Sequence, residues 1–256
     1  MRRARTIRQR RNSGQILLIA AFIMASLLVS AQIYIVDIGK IAFDTDSDSL
    51  RDFILSIELG SRHVIAGSLA NITNGGGTSV LAVNLQRWSS VLSRQYFFGK
   101  NTLNYALREI SPYTSGIWID WGTNGIGISS AYSSFTYKLS DRETEVDQTY
   151  FENITTILTV ESSYHTQGGN TKVNVTVNLL NEDKPALANQ ILIYYRAAGN
   201  WRIAEAASNY EMTDYGNGTY TASFDADIPS PTIEVSGRVI DQRQILVQAN
   251  VTSVQI

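Results

Sequence analysis

Few residues in this chain combine into a pattern that could do chemistry. Its two histidines, His63 and His165, have no neighbouring nucleophile motif, and no Gly-x-Ser-x-Gly elbow is present. Gly75-Gly76-Gly77 is not followed by the Lys-Ser/Thr pair that completes a phosphate-cradling loop. Asp44, Asp46 and Asp48 alternate as in a calcium loop, but the sixth position is Ser49 and the twelfth Leu55, where Gly and Glu are required. This cluster reads as a solvated acidic group capping a helix, so no catalytic residue, metal site or cofactor is expected. Two kinds of chemistry remain. Asn71, Asn153, Asn174, Asn217 and Asn250 each open an Asn-x-Ser/Thr sequon and become glycan acceptors if they lie outside the cytoplasm, with Asn71 expected in a loop-like setting. Trp118, Trp121, Tyr132 and Tyr137 could form a ligand-stacking surface, although their spacing favours core and cross-strand pairs.

The elements that position these residues begin with a charge asymmetry. Six of the 21 basic residues are arginines before residue 12, with no acidic residue among them. The remaining 15 face all 23 acidic residues, leaving a body charge of −8, which argues against a nucleic-acid partner. From Gln15 to Val36 no charge interrupts an apolar run, long enough to cross a hydrocarbon core of roughly 30 Å. Residues 15–36 are therefore expected to be a transmembrane helix whose partner is the lipid bilayer. The arginines before it orient residues 1–14 to the cytoplasm and the bulk outside the cell. Cysteine is absent, so an extracytoplasmic body must rest on packing alone.

Three fates of the leader fit these residues. The segment can remain as an uncleaved anchor, or be cut after Val29-Ser30-Ala31 as a signal peptide. The third rests on Ser13-Gly14-Gln15, where a basic leader and a small residue meet Gln and an uninterrupted hydrophobic stretch. That junction resembles archaeal type IV pilin-like precursors, over about the first 36 residues. The resemblance implies cleavage between Gly14 and Gln15, with the hydrophobic helix retained. The chain departs from bacterial pilins in carrying Ile19 where they carry Glu at the fifth mature position.

Residues 37–150 read as an α+β region. Leu50, Phe53, Ile54, Ile57, Val64 and Leu69 recur at helical spacing, and a second helix is predicted over Thr78–Phe98 with Leu81, Leu85, Trp88, Val91, Leu92 and Tyr96 as its apolar stripe. A third short helix is predicted around Thr102–Ile110, before Ser111-Pro112. From Gly116 the period becomes two (Ile117, Ile119, Trp121; Ile126, Ile128; Ser133, Phe135, Tyr137), giving two to four strands.

Residues 151–256 read as an all-β sandwich of about seven short strands. Val173, Val175, Val177 and Leu179 alternate with Asn174, Thr176 and Asn178, and further strands are predicted at 155–162, 190–196, 218–224, 233–239 and 245–252. The segment Lys184-Pro185-Ala186-Leu187-Ala188-Asn189-Gln190, the strand after it to Trp201, and Thr213-Asp214-Tyr215-Gly216-Asn217-Gly218-Thr219-Tyr220 resemble the immunoglobulin-like and fibronectin-type repeats of prokaryotic surface proteins. The resemblance implies a surface-displayed sandwich.

Together these readings predict a single-pass, non-enzymatic cell-surface protein: a structural or adhesive subunit, pilin-like in its leader. Such a subunit would associate with copies of itself or with other membrane and surface proteins. The alternative is a ligand-binding ectodomain or an accessory subunit of a membrane complex.

Overall fold

Period-two alternation dominates the chain after residue 100, and it produces strands. The computed structural model describes residues 47–95, 100–140, 145–167, 170–197, 199–226 and 232–256. Two units divide within the first helix, Met1–Ile57 and Glu58–Ile256. The described part of the first is the beginning of α1 (Ser47–Thr73); all that follows concerns the second.

After α1 the chain turns through Asn74-Gly75, where Gly75 takes φ +100° and Asn74 Nδ2 donates to the Ala70 carbonyl at 2.7 Å. Helix α2 (Val80–Gln95) follows, then, among the described residues, the strands β1 (Lys100–Leu107), β2 (Ile117–Trp121), β3 (Ile126–Ser140), β4 (Glu145–Gln167), β5 (Asn170–Asn181), β6 (Lys184–Pro185), β7 (Ala188–Ala197), β8 (Asn200–Ile203), β9 (Ser208–Asp214), β10 (Thr219–Ala226), β11 (Glu234–Asp241), β12 (Leu246–Thr252) and β13 (Val254–Gln255). One sheet has the order β1-β3-β4-β5-β10-β9, with β2 beside β3, β6 beside β5 and β13 parallel to β4. The other sheet has the order β12-β11-β7-β8.

The larger sheet buries one face from β1 to β10, whereas β9 at its end is mostly exposed. Toward β12 and β11 that face carries Leu158, Val160, Val173, Val175, Val177 and Leu179, packed with Ile193, Tyr195, Phe224, Val235, Val239 and Val247. At the β1 end it carries Leu103, Phe135, Tyr137 and Leu139, covered by the helices: Tyr105 donates to the Ala82 carbonyl at 3.1 Å, and Ser61 bonds both Trp88 Nε1 (3.0 Å) and the Tyr150 hydroxyl (2.9 Å). Truncating a core leucine such as Leu158 costs about 2–5 kcal/mol by the general behaviour of such sites.

A polar joint ties helix, strand and turns together. Asp241, fully buried, accepts from the Arg243 and Ile245 amides at 2.8 and 2.9 Å, from Thr156 Oγ1 at 3.2 Å and from Arg243 Nε at 2.8 Å. The same guanidinium reaches Glu182 (2.7 Å) in the β5–β6 turn, and Glu182 lies 3.4 Å from Arg62 on α1. Leu246 donates its amide to Thr73 Oγ1 at 3.1 Å, adding a second tie to α1.

The expected architecture is corrected here. Among the described residues no helix is long and apolar enough to cross a membrane, and residues 15–36 lie outside them. Among the described residues the chain is mostly β with two α-helices, and no transmembrane helix followed by a small α+β region and a separate sandwich is shown. The expected boundary at 150/151 falls inside β4, which pairs with β3 over fifteen positions and with β5 over twelve. Splitting the chain there would break a ladder whose buried amides and carbonyls have no other partner. The predicted helix at 102–110 is instead strand β1, because its amides and carbonyls are taken by β3 from Ser133 to Ser140.

Two glycines set opposite expectations for substitution. A Cβ on Gly127 would collide with the Gln248 carbonyl of β12, whereas one on Gly67, inside α1, meets nothing within 4 Å. In chemical denaturation, Gly127→Ala is expected to lose about 1–3 kcal/mol and Gly67→Ala to gain about 0.5–1 kcal/mol. Arg243→Met, which strands the buried Asp241 charge, is expected to lose about 3–5 kcal/mol by the same measurement.

Candidate functional site

Alternation along β3 and β4 places Tyr132, Phe151, Asn153 and Thr155 on the face of the larger sheet opposite the helices. Tyr132 and Asn153 are direct cross-strand partners, and the Tyr132 and Phe151 rings stack at 6.0 Å and 14°. Tyr113, in the loop before β2, lies 5.9 Å from both Trp118 and Tyr132. Arg108, just after β1, holds its guanidinium 4.8 Å from the Tyr132 centroid and 5.2 Å from that of Tyr113, a double cation–π contact. Its buried Nε has no hydrogen-bond partner, and a shallow depression of about 340 Å³ opens beside it along residues 106–110, Tyr132 and Ser134.

Beneath the rings runs a hydroxyl network centred on Asn153. Its Oδ1 accepts from Ser130 Oγ at 3.1 Å, from the Tyr113 hydroxyl at 3.3 Å and from Thr155 Oγ1 at 3.3 Å. Ser130 Oγ also lies 2.9 Å from the Tyr113 hydroxyl and 2.7 Å from Thr155 Oγ1, so three hydroxyl protons are shared among five contacts and each hydroxyl donates to one partner at a time. The Asn153 amide nitrogen makes no hydrogen bond among the described residues, and the side chain is exposed.

The four aromatics singled out from the sequence divide between the two faces. Trp118 and Tyr132 join the open cluster through Tyr113. Tyr137, 1% exposed, is on the helix-covered face, and Trp121 packs against the sandwich core while donating to Ser129 at 3.1 Å. Arg108, Tyr113 and Phe151 were not anticipated. Only Phe151 left a signal in the sequence, standing two residues before Asn153 and so on its face of a strand.

The sequons also sort by setting. Asn71 is in the last turn of α1, not in a loop, and the hydroxyl of its Thr73 is buried and donates to the Ala70 carbonyl. Asn174 lies on β5 between β4 and β10, facing Ser163 and Ser223. Asn217 is in the exposed turn before β10, where it accepts from the Thr219 amide at 3.1 Å. Asn250, half-buried on β12, has its amide and carbonyl engaged by Gly122 and Gly125. Gly14 and Gln15, the candidate processing junction, lie outside the described residues.

No group of three or more His, Cys, Asp or Glu poised for a metal occurs among the described residues. His63 bonds the carbonyl of Leu59 in its own helix, and His165 that of Ile256. Comparison with known family models and with curated proteins gives no match.

Titration is perturbed where α1 meets β4. Burial pushes the Tyr150 phenol from 10.0 up to about 12, opposed by the Ser61 hydrogen bond and helped by Glu58 and Glu152. Burial also raises the Glu152 carboxyl above 4.5, with Arg62 opposing and Glu58 and Glu182 adding to the rise. In the native state Tyr150 keeps its proton where the unfolded chain has lost it, so its contribution to stability declines as pH rises from 10 to about 12. Tyr150→Phe is expected to flatten the pH dependence of unfolding in that window, at a constant cost of about 0.5–1.5 kcal/mol for the lost hydrogen bond.

Proposed function

We propose that the protein is a membrane-anchored, extracytoplasmic structural or adhesive protein that displays an immunoglobulin-like sandwich. The observation that carries this is the strand order. β4-β5-β10-β9 facing β12-β11-β7-β8 corresponds to the A-B-E-D and G-F-C-C′ sheets of an immunoglobulin-type domain. Such a sandwich presents surfaces and loops from a rigid frame, which suits display and adhesion. The address is supported separately, by the arginine-rich residues 1–14, the uncharged run 15–36 and the acidic, cysteine-free remainder. The junction at Gly14-Gln15 adds a pilin-type route to self-association. A second reading, a ligand-binding ectodomain or accessory subunit, is favoured by the Arg108-centred aromatic cluster on the open face.

Labelling intact cells with a membrane-impermeant amine reagent tests the address. Peptides between residues 58 and 256 are expected to be labelled on whole cells, Lys138 and Lys184 among them. Labelling that occurs only after lysis overturns the proposal.

A further inference from the structure

We propose that Asn153 carries an N-linked glycan whose first sugar ring lies on the exposed face of Phe151. The inference rests on the extracytoplasmic reading above and goes beyond it by choosing one sequon among five and naming the surface that receives the sugar.

Whether a glycan is attached before or after folding, the native structure must leave the acceptor nitrogen free. Asn153 meets that condition: its carbonyl oxygen lies within hydrogen-bond reach of three hydroxyls, its amide nitrogen makes no hydrogen bond among the described residues, and the side chain is exposed. A glycosylated asparagine keeps the carbonyl, so the whole network survives modification. Asn71 and Asn250 are poorer sites, with Thr73 buried in the first sequon and the acceptor itself half-buried in the second. Asn174 and Asn217 are exposed, but the cross-strand neighbours of Asn174 are serines and Asn217 sits at a turn beside Gly216 and Gly218.

What distinguishes Asn153 is its neighbour. Phe151 lies two residues earlier on the same face and is 68% exposed, its ring held parallel to Tyr132. A fixed, exposed aromatic ring beside a free acceptor nitrogen offers the apolar face on which a pyranose stacks. Location adds a second reason. Pairing of β4 with β5 begins only at Thr156, and the β5–β6 turn takes up the Thr155 amide and carbonyl, so residues 145–154 form a free edge paired with β3 alone. Such an edge invites pairing with another chain, and a bulky polar glycan on it prevents that.

The reaction needs a transferase and a lipid-phosphate- or lipid-diphosphate-linked oligosaccharide. Asn153 Nδ2 bonds to the anomeric carbon as the carbon–oxygen bond to phosphate breaks. The lipid phosphate leaves with the electron pair, one amide hydrogen departs as a proton, and nothing is oxidised or reduced.

Mass spectrometry of peptides from protein recovered from its native membrane tests the modification. A hexosamine- or hexose-initiated mass addition on the peptide containing Asn153 is expected, abolished by Asn153→Gln. An unmodified Asn153 peptide in protein that is surface-labelled overturns the inference alone; one in protein labelled only after lysis removes the surface reading with it. Phe151→Ala tests the stacking. It should lower Tm by about 2–4 °C more in the glycosylated protein than in protein made without the transferase. Equal losses overturn the contact between Phe151 and the sugar.

Discussion

Asp241 is the constraint on which the second unit depends. A carboxylate removed wholly from water carries a desolvation cost of several kcal/mol, and only a full set of donors offsets it. Here four are supplied: two backbone amides of its own turn, a threonine of β4 and the guanidinium of Arg243. Satisfying the charge therefore fixes the β11–β12 turn against β4. The rest of the guanidinium then recruits Glu182, which also accepts from the Thr155 amide, and Glu182 meets Arg62 on α1. Four segments distant in sequence are registered by one buried charge, with hydrogen-bond geometry as the currency of selection rather than apolar area.

That registration leaves the larger sheet with two unlike faces. One is closed from β1 to β10, by α1 and α2 at the β1 end and by the second sheet beyond. The opposite face is free, and its side chains are mostly polar, such as the Thr136–Thr149 pair and the Lys138–Asp147 ion pair. The Arg108, Tyr113, Trp118, Tyr132 and Phe151 group stands out against this polar background. Tyr132 and Phe151 stand on the long continuous strands β3 and β4, and Arg108 and Tyr113 reach them from the loop between β1 and β2.

Much of the fold was legible locally. The alternation of Val173, Val175, Val177 and Leu179 became β5 with all four buried, and the predicted strands near 190–196, 218–224, 233–239 and 245–252 correspond to β7, β10, β11 and β12. Helices expected around Leu50–Leu69 and Thr78–Phe98 correspond to α1 and α2 within a few residues. The segment around Thr102–Ile110 was misread because Leu103 and Leu107 also satisfy helical spacing; pairing with β3 decided its state. Of the site, Tyr132 and Trp118 were found but Tyr137 and Trp121 were grouped with them. Separating them requires knowing which face is covered, and odd and even positions of a strand look alike until that is settled.

The sequence by itself determined the periodicities, the charge asymmetry of the N-terminal residues, the freedom from cysteine and the positions of the five sequons. These are properties of near neighbours, and near neighbours need no fold to be read. The tertiary structure alone decided that residues on both sides of 150 share one sheet, that Asp241 is buried and answered by Arg243, and that Asn153 stands on a free edge beside an exposed ring. Any extended segment offers the same row of amides and carbonyls, so which strands pair, and which face is left to solvent, is settled only when the whole core closes.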